Sequence, residues 1–180
     1  MILVTSACSS RGNSYHSIDV IEPSNQPSTQ NQSRNNNDET NGNEWQAILN
    51  YHNKVRADVN VNPLSWSNQV AEHAQAWAKN LAANGCKMQH SNDSNYGENL
   101  FMGTLGHYNV VDAAKSWESE KRDYSGAALN SSNWSKTGHY TQMVWHNTTQ
   151  LGCAKVACNN NLIVVCNYDP AGNYMGQKPY

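Results

Sequence analysis

The run Leu162-Ile163-Val164-Val165, followed by Cys166-Asn167-Tyr168, decides the fold of this chain. Successive residues of a β-strand point to opposite faces of the sheet, so four consecutive apolar residues place apolar side chains on both faces. A strand of this kind is typical of the centre of a sheet that is covered on both sides. The rest of the sequence therefore has to supply neighbouring strands and two covering layers.

A hairpin leads into this run. A second apolar segment, residues 151–157, is joined to it by Asn159-Asn160-Asn161, and asparagine tolerates the left-handed backbone that a tight turn requires. Folding the hairpin about this turn places Cys153 opposite Cys166. The register therefore predicts a disulfide between the two strands.

The remaining cysteines complete the pattern. The chain has five cysteines, and setting Cys8 aside leaves four, which lack the paired spacing of a zinc ribbon. Four cysteines in a small exported domain predict two disulfides, with three possible connectivities. With Cys153 bonded to Cys166, the second disulfide joins Cys86 to Cys158.

Three helical patterns come before the hairpin. Apolar residues recur at intervals of three and four after Asn43, Ser67 and Asn109, each a suitable N-cap, and Asn84-Gly85 is expected to end the second helix. An additional strand is predicted over His139–Trp145. Helices followed by a covered hairpin predict an α+β fold, a three-layer α-β-α sandwich with a central, mostly antiparallel sheet.

The charge balance excludes one class of partner. The chain carries 12 Lys and Arg against 14 Asp and Glu, whereas nucleic-acid recognition requires concentrated positive charge. No segment approaches the roughly 18 apolar residues of a membrane span. We therefore expect no nucleic-acid partner and no transmembrane span. We also expect the protein to be a monomer.

The N-terminal part differs in composition from the rest. Residues 22–44 contain no hydrophobic residue and cannot offset their ordering entropy, so we predict a disordered tether over 9–43 and a folded domain over 44–180. Residues 1–8, Met-Ile-Leu-Val-Thr-Ser-Ala-Cys, are typical of the end of a signal peptide. The signal is an ordinary secretory one or a bacterial lipoprotein signal with Cys8 as the lipid-anchored residue; the alternative is a chance match of eight residues in a cytosolic protein.

Four residues are candidates for a functional site. Glu120 falls on the apolar stripe of the third predicted helix, where a buried carboxylate needs a cationic or metal partner; the alternative is a glutamate at the stripe edge that reaches water. His90, Glu98 and His139 could join it, since two histidines and one or two glutamates match the ligands of an open zinc site. The residues alone are equally compatible with isolated histidines in the core or on the surface.

Five ordered blocks carry a family resemblance that spans residues 44–180. They are His52-Asn53-Lys54-Val55-Arg56, Pro63-Leu64-Ser65-Trp66, Gly97-Glu98-Asn99-Leu100, Gly138-His139-Tyr140-Thr141-Gln142-Met143-Val144-Trp145 and Cys166-Asn167-Tyr168-Asp169-Pro170-Ala171-Gly172-Asn173-Tyr174. Together they resemble the CAP superfamily, which groups cysteine-rich secretory proteins, insect venom antigen 5 and plant pathogenesis-related class 1 proteins. The resemblance implies the same α-β-α sandwich.

The resemblance also implies a cleft, built from His90, Glu98, Glu120 and His139. Glu120 is assigned because it lies three residues after Trp117, with Glu118 as its competitor. In the family such a cleft can hold a divalent metal, commonly zinc, between the two histidines, while the glutamates hold a water or orient the rings.

Two further features follow from the resemblance. It supports the pairs Cys86–Cys158 and Cys153–Cys166, but the family's third disulfide is missing because Thr137 stands in place of one of its cysteines. We therefore expect the loop 125–137 to lack a tether and to be mobile. Residues 170–180 resemble a peptide that some plant members release; the alternative, which we favour, is that they pack over the sheet as part of the fold.

The function implied by the resemblance is that of an extracellular or surface-tethered protein with a role in defence or host interaction. It would bind a small apolar ligand, a sterol or a fatty acid, with a divalent metal as a further ligand. One alternative is a zinc-dependent hydrolase in which Glu98 and Glu120 are the catalytic carboxylates. Another is an interaction protein whose loops contact an extracellular protein partner.

Overall fold

The computed structural model describes residues 36–180. The signal segment 1–8 with Cys8, and residues 9–35 of the predicted tether, lie outside the described residues and stay predictions. Within the described range no helix is both long and apolar enough to cross a membrane. In chain order the elements are α1 (Asn36–Ala57), β1 (Ser65–Trp66), α2 (Asn68–Ala83), β2 (Gly97–Thr104), α3 (Val110–Glu118), a 3-10 helix (Ser119–Asp123), α4 (Trp134–Met143), β3 (Gln150–Cys158) and β4 (Asn161–Asp169).

The four described strands form one sheet in the order β1-β3-β4-β2. The predicted central strand is β4, which pairs antiparallel with β3 on one side and with β2 on the other. Only the short β1 is parallel to its neighbour, β3. The prediction of a central, mostly antiparallel sheet is therefore confirmed.

Each face of β4 is covered by a different helical layer. Leu162 and Val164 belong to the buried cluster formed with α1, α3 and α4. Ile163 and Val165 belong to the cluster formed with α2. The alternation of a strand thus divides one apolar run between two cores, and the predicted three-layer sandwich is confirmed.

Local capping explains where two of the helices begin. The side chain of Ser67 accepts a hydrogen bond from the Val70 backbone N–H, and Asn109 forms a reciprocal capping box with Asp112. The first helix differs from the prediction, because it begins at Asn36 rather than after Asn43. Extending an existing helix costs little once one part of it is packed, so a polar segment can continue it.

The strand predicted over His139–Trp145 is wrong, because α4 covers most of it. The buried side chains of this segment include Thr137, Tyr140, Thr141 and Val144, whose spacing of three and four residues is helical. Threonine and valine favour strands in isolation, but packing of a helical face against α1 and α3 overrides that preference.

Two strands were not predicted. β1 has only two residues, and β2 is an edge strand of which only Asn99 is buried. An edge strand leaves much of its surface in solvent, so its sequence does not show the continuous apolar run of a central strand.

Both predicted disulfides are present. Cys153 and Cys166 occupy directly paired positions of β3 and β4, with Cα atoms 4.1 Å apart. The Cys86–Cys158 disulfide joins the turn after α2 to the end of β3. One bond therefore links two strands of the sheet, and the other links the sheet to the helix that covers it.

We predict that the two disulfides contribute unequally to stability. The Cys86–Cys158 bond joins residues 72 apart, whereas the Cys153–Cys166 bond joins residues 13 apart. Restricting the unfolded chain should stabilise the protein by roughly 4 kcal/mol in the first case and roughly 3 kcal/mol in the second. Urea unfolding of the two paired alanine variants measures the difference. Equal losses, or a wild type indifferent to reductant, would contradict the entropic explanation.

A fully buried histidine, His52, links α1 to the central strand β4. His52 Nδ1 lies 2.8 Å from the Ile48 carbonyl oxygen, and Nε2 lies 2.9 Å from the Tyr168 hydroxyl. A carbonyl can only accept, so Nδ1 carries the proton and Nε2 accepts from Tyr168. Burial, assisted by the nearby charge of Arg56, lowers the pKa of His52 from 6.5 to about 4.

This shift predicts a loss of stability in mild acid. The folded state holds His52 neutral, whereas the unfolded chain protonates it below pH 6.5, so its contribution is complete above 6.5 and is lost as the pH falls to about 4. The loss amounts to about 3 kcal/mol. Urea unfolding between these pH values should show a smaller pH dependence in His52→Gln than in wild type. The exposed His107 supplies the control, because His107→Gln should keep the wild-type dependence.

Candidate functional site

A cleft of about 170 Å³ opens between the segment that leads into β2 and the helix α4. Three of the four predicted residues line it directly, and the fourth, Glu120, is hydrogen-bonded to one of them. The structure therefore brings all four to one site. The lining residues are His90, Glu98, Asn99, Trp134, Ser135, Gly138, His139 and Asn173.

Glu120 holds His139 and the helix that carries it. One carboxylate oxygen lies 2.7 Å from His139 Nδ1. The other accepts hydrogen bonds from the backbone N–H groups of His139, at 2.9 Å, and Tyr140, at 3.2 Å. Both oxygens of this carboxylate are therefore engaged within the protein, and Glu120 acts as a support for α4.

The competitor Glu118 has another partner. Its carboxylate accepts a hydrogen bond from the hydroxyl of Tyr51, on α1. The chain changes from α-helix to 3-10 helix after Glu118, which alters the residue spacing and turns Glu120 towards α4. The assignment of Glu120 that the resemblance implied agrees with this geometry, and the partner of Glu120 is a histidine.

Glu98 forms a similar pair with His90. One oxygen lies 2.7 Å from His90 Nδ1 and accepts a hydrogen bond from the Ser91 backbone N–H at 3.0 Å. The hydrogen bond to Glu98 raises the pKa of His90. Burial acts to raise the pKa of Glu98, but the bonds from His90 and Ser91 outweigh it and lower that pKa. The pair is therefore stabilised as imidazolium and carboxylate.

The two pairs leave the same kind of atom open. Each histidine uses Nδ1 for its glutamate, so Nε2 of His90 and Nε2 of His139 are the ring atoms without a hydrogen bond among the described residues. The side chain of Glu98 is only 6% exposed, yet its Oε2 has no partner there either. A buried carboxylate oxygen without a donor is costly, and it indicates a bound water or ligand.

These atoms fit a divalent metal in part. A carboxylate on Nδ1 is the usual support for an imidazole that binds metal through Nε2, and Glu98 Oε2 could accept from a water on the metal. Among the described residues, however, no group of three or more histidine, cysteine, aspartate or glutamate side chains is arranged around one point. A metal here would have two protein ligands, with water or a ligand molecule in its other positions.

The floor of the cleft is connected to the core. Asn99 Nδ2 donates to the His139 carbonyl oxygen and to the Tyr168 hydroxyl, both at 3.0 Å. The same hydroxyl bonds to His52. A chain of hydrogen bonds therefore runs from the buried histidine through the central strand to the site.

Some lining residues had little or no signal in the sequence. Asn99 and Asn173 lie within the blocks that carried the family resemblance, but no chemical pattern singled them out. Trp134 and Ser135 lie outside every block. They reach the cleft because α4 begins there, in a segment whose helical structure was not predicted.

The loop 125–137 has a tether other than a disulfide. The N–H of Leu129 donates to the Gln177 carbonyl oxygen at 2.9 Å, and its carbonyl accepts from the Gly176 N–H at 2.8 Å. The Leu129 side chain is buried, and Thr137 donates to the Asn133 carbonyl oxygen. The expectation that this loop is untethered is therefore wrong.

The C-terminal residues pack against the domain. The backbone N–H of His146 donates to the Pro179 carbonyl oxygen at 2.8 Å, and the Tyr180 hydroxyl lies 3.1 Å from that of Tyr140. Asn173 bonds to Thr141 and to the Gly138 carbonyl oxygen. In this structure the segment 170–180 is thus part of the fold and contributes Asn173 to the cleft.

Fold and cleft together define the class of protein: a disulfide-bonded α-β-α sandwich with two histidine–glutamate pairs beside one opening. Residues 49–168 match the sequence model of the CAP family, which is described as the Cysteine-rich secretory protein family. The chain belongs to this family.

Known relatives include plant proteins. Pathogenesis-related protein 1A of Nicotiana tabacum is 45% identical over 139 residues, covering 77% of this chain and 82% of the relative. Pathogenesis-related protein 1 of Arabidopsis thaliana is 47% identical over 136 residues, covering 75% and 81%. Among solved structures, that of NaASP2 with Zn²⁺ matches with a TM-score of 0.68 at 30% identity, covering 76% of this chain and 84% of the other.

The two glutamates should differ in their contribution to stability. Glu120→Ala removes three hydrogen bonds and leaves two N–H groups of α4 without this acceptor, whereas Glu98→Ala removes two bonds and one orphaned oxygen. We expect losses of about 3 kcal/mol for Glu120→Ala and about 1 kcal/mol for Glu98→Ala. Thermal and urea unfolding measure both, and a larger loss in Glu98→Ala would reverse the assigned roles.

Proposed function

We propose that this protein acts outside the cell as a defence-type CAP protein and binds a divalent metal, zinc first of all, through His90 and His139. Two disulfides support an oxidising compartment. The names of the plant relatives support a connection with defence. The lipid-anchored form, with an acylated Cys8, remains a prediction from the sequence, because Cys8 lies outside the described residues.

The observation that carries the proposal is the orientation of the two imidazoles. In both rings Nδ1 is hydrogen-bonded to a carboxylate, which leaves Nε2 without a hydrogen bond among the described residues. Both histidines line the same cleft. This arrangement fixes the tautomer that a metal requires and increases the basicity of the nitrogen that would bind it. The solved relative NaASP2 was crystallised with Zn²⁺, which is consistent with this reading.

The two glutamates of the site would have different roles in metal binding. Glu120 positions His139 through hydrogen bonds to its ring and its backbone, while Glu98 positions His90 with one oxygen only. The second oxygen of Glu98 is buried without a donor among the described residues, so a water or a ligand hydroxyl that reaches it would supply its missing hydrogen bond. A bound metal would supply a Lewis-acidic centre for such a water.

An apolar ligand would need a different place. A cleft of about 170 Å³ is smaller than the roughly 300–1,000 Å³ of sites for drug-sized molecules, so a sterol does not fit here. A more apolar pocket of about 270 Å³ lies beside Lys155, where α3 begins and the β3–β4 hairpin ends. At this volume it does not hold a whole sterol either, so we propose it for the acyl chain of a fatty acid or for one end of a sterol, to be tested by saturable binding of radiolabelled palmitate and cholesterol and its loss in Val156→Asp.

The hydrolase alternative makes a narrower claim. A zinc-dependent hydrolase would need a general base. Of the two predicted glutamates, only Glu98 has a carboxylate oxygen without a hydrogen bond to the protein, so only Glu98 could act as that base. Glu120 is occupied on both oxygens. Any hydrolytic activity should therefore be abolished in Glu98→Gln, with zinc binding kept; activity that survives this change would remove the hydrolase hypothesis.

Zinc titration tests the main proposal. Calorimetry of the full chain at neutral pH should show binding at micromolar concentration or tighter, lost in His90→Ala/His139→Ala. Zinc and a proton compete for His90, and the hydrogen bond to Glu98 that raises the pKa of His90 favours the proton, so affinity should fall and more protons should be released as the pH is lowered.

The control is another histidine. His107→Ala should bind zinc like wild type, since this exposed residue does not line the cleft. Titration in two buffers of different ionisation enthalpy measures the released protons. Absence of binding in wild type, or equal binding in the double variant, would overturn the metal assignment.

A further inference from the structure

An exposed tryptophan stands at the mouth of the cleft. Trp134 is the first residue of α4 and is 43% exposed. It lines the same cleft as the two histidines. Large aromatic side chains gain most of their stabilisation from burial. One that faces solvent beside a polar cleft indicates a surface that a ligand covers.

The indole packs against its own helix. The backbone that carries it is fixed by the hydrogen bond from the Trp134 N–H to the Asn130 carbonyl oxygen at 3.0 Å. One turn along α4, Gly138 has no side chain, and a Cβ built there would lie 3.3 Å from the indole Nε1. The ring therefore rests against the helix at the position where a glycine leaves room for it, and it presents a defined face.

The other residues of the lining include polar and titratable ones. Among them are Glu98, whose side chain is more than nine-tenths buried and whose Oε2 has no partner among the described residues, and the two histidines, whose Nε2 atoms carry no hydrogen bond there. Ser135 belongs to the same lining. An acceptor without a donor, next to groups that can donate or accept, suits a ligand that carries hydroxyl or N–H groups.

We propose that the cleft binds a saccharide, with one sugar ring stacked on Trp134 and one of its hydroxyls donating to Glu98 Oε2. A sugar ring has an apolar C–H face, which suits the electron-rich face of an indole, and a rim of hydroxyls, which suits the polar lining. A space of about 170 Å³ accommodates one such ring. The proposal goes beyond metal binding and does not require a metal, although both would use this cleft.

Other ligand classes fit less well. An anion would meet the carboxylates of Glu98 and Glu120, and an amine would have to compete with the histidine that already pairs with each of them. A sterol or a long acyl chain exceeds the volume of the cleft and would bury the polar atoms without hydrogen bonds. A neutral polyhydroxyl compound avoids all three costs.

The test uses the full chain and neutral oligosaccharides of glucose, N-acetylglucosamine, mannose and xylose, by saturation-transfer NMR and calorimetry. At least one should bind saturably with zinc chelated by EDTA. Trp134→Ala should weaken that binding about tenfold or more, as for an aromatic residue at the centre of a contact, whereas Trp134→Phe should keep part of it. Glu98→Gln should weaken it as well.

A matched control separates stacking from general effects. Tyr108→Ala removes an aromatic side chain of similar exposure, 48%, that does not line this cleft, and it should leave saccharide binding unchanged. Circular dichroism establishes that each variant is folded. No saturable binding by any of the four classes, or binding that is equal in wild type and Trp134→Ala, would overturn the proposal.

The zinc titration distinguishes the two proposals. Trp134→Ala should bind zinc like wild type, because the indole supplies no ligand to a metal. Zinc binding without saccharide binding would leave the metal proposal standing and remove this one. Saccharide binding without zinc binding would do the reverse.

Discussion

The structure depends on a buried positive charge that has backbone carbonyls for partners. Arg56, on α1, donates to the carbonyl oxygens of Asn62, Met143, Trp145 and Thr148. A guanidinium has five donors in a rigid plane, so one side chain can satisfy several carbonyls that a turn leaves unpaired. Burial lowers the pKa of Arg56 to about 10, which leaves it charged at neutral pH. The first helix is thereby joined to the end of α4 and the turn that enters β3, and the position of α4 determines where His139 stands.

A chain of hydrogen bonds through Tyr168 and Asn99 connects the core to the cleft. Tyr168 is on the central strand, and its hydroxyl donates to His52 on one side and accepts from Asn99 on the other. Asn99 also holds the backbone of His139. An acidic pH that protonates His52 would therefore disturb the core and the support of the cleft together, because Tyr168 and Asn99 connect His52 to the backbone of His139 through consecutive hydrogen bonds. Stability and site geometry are consequently coupled in this domain, and variants of the network have to be compared at a pH where His52 is neutral.

What could be predicted from the sequence was what local chemistry determines. The apolar run at 162–165 could only be covered on both faces, and the turn at Asn159-Asn160-Asn161 set the register that pairs Cys153 with Cys166. The predicted caps Ser67 and Asn109 are the observed ones. The segment 139–145 could not be read correctly, because its β-branched residues favour a strand and only contacts with α1 and α3 make it a helix. Trp134 was missed for the same reason, since its role follows from being the start of that helix.

The two histidine–glutamate pairs look alike in sequence but differ in physical state, and the difference determines what the cleft can do. Glu120 has both oxygens bonded to protein, so it can orient His139 but cannot take part in anything that enters the cleft. Glu98 has one oxygen bonded and one buried without a donor. A structural hydrogen-bonded cluster would have satisfied that oxygen, because an orphaned buried acceptor destabilises the fold. That oxygen is therefore left to a water or a ligand, and the open Nε2 atoms and the exposed indole of Trp134 indicate the chemistry that would suit such a ligand.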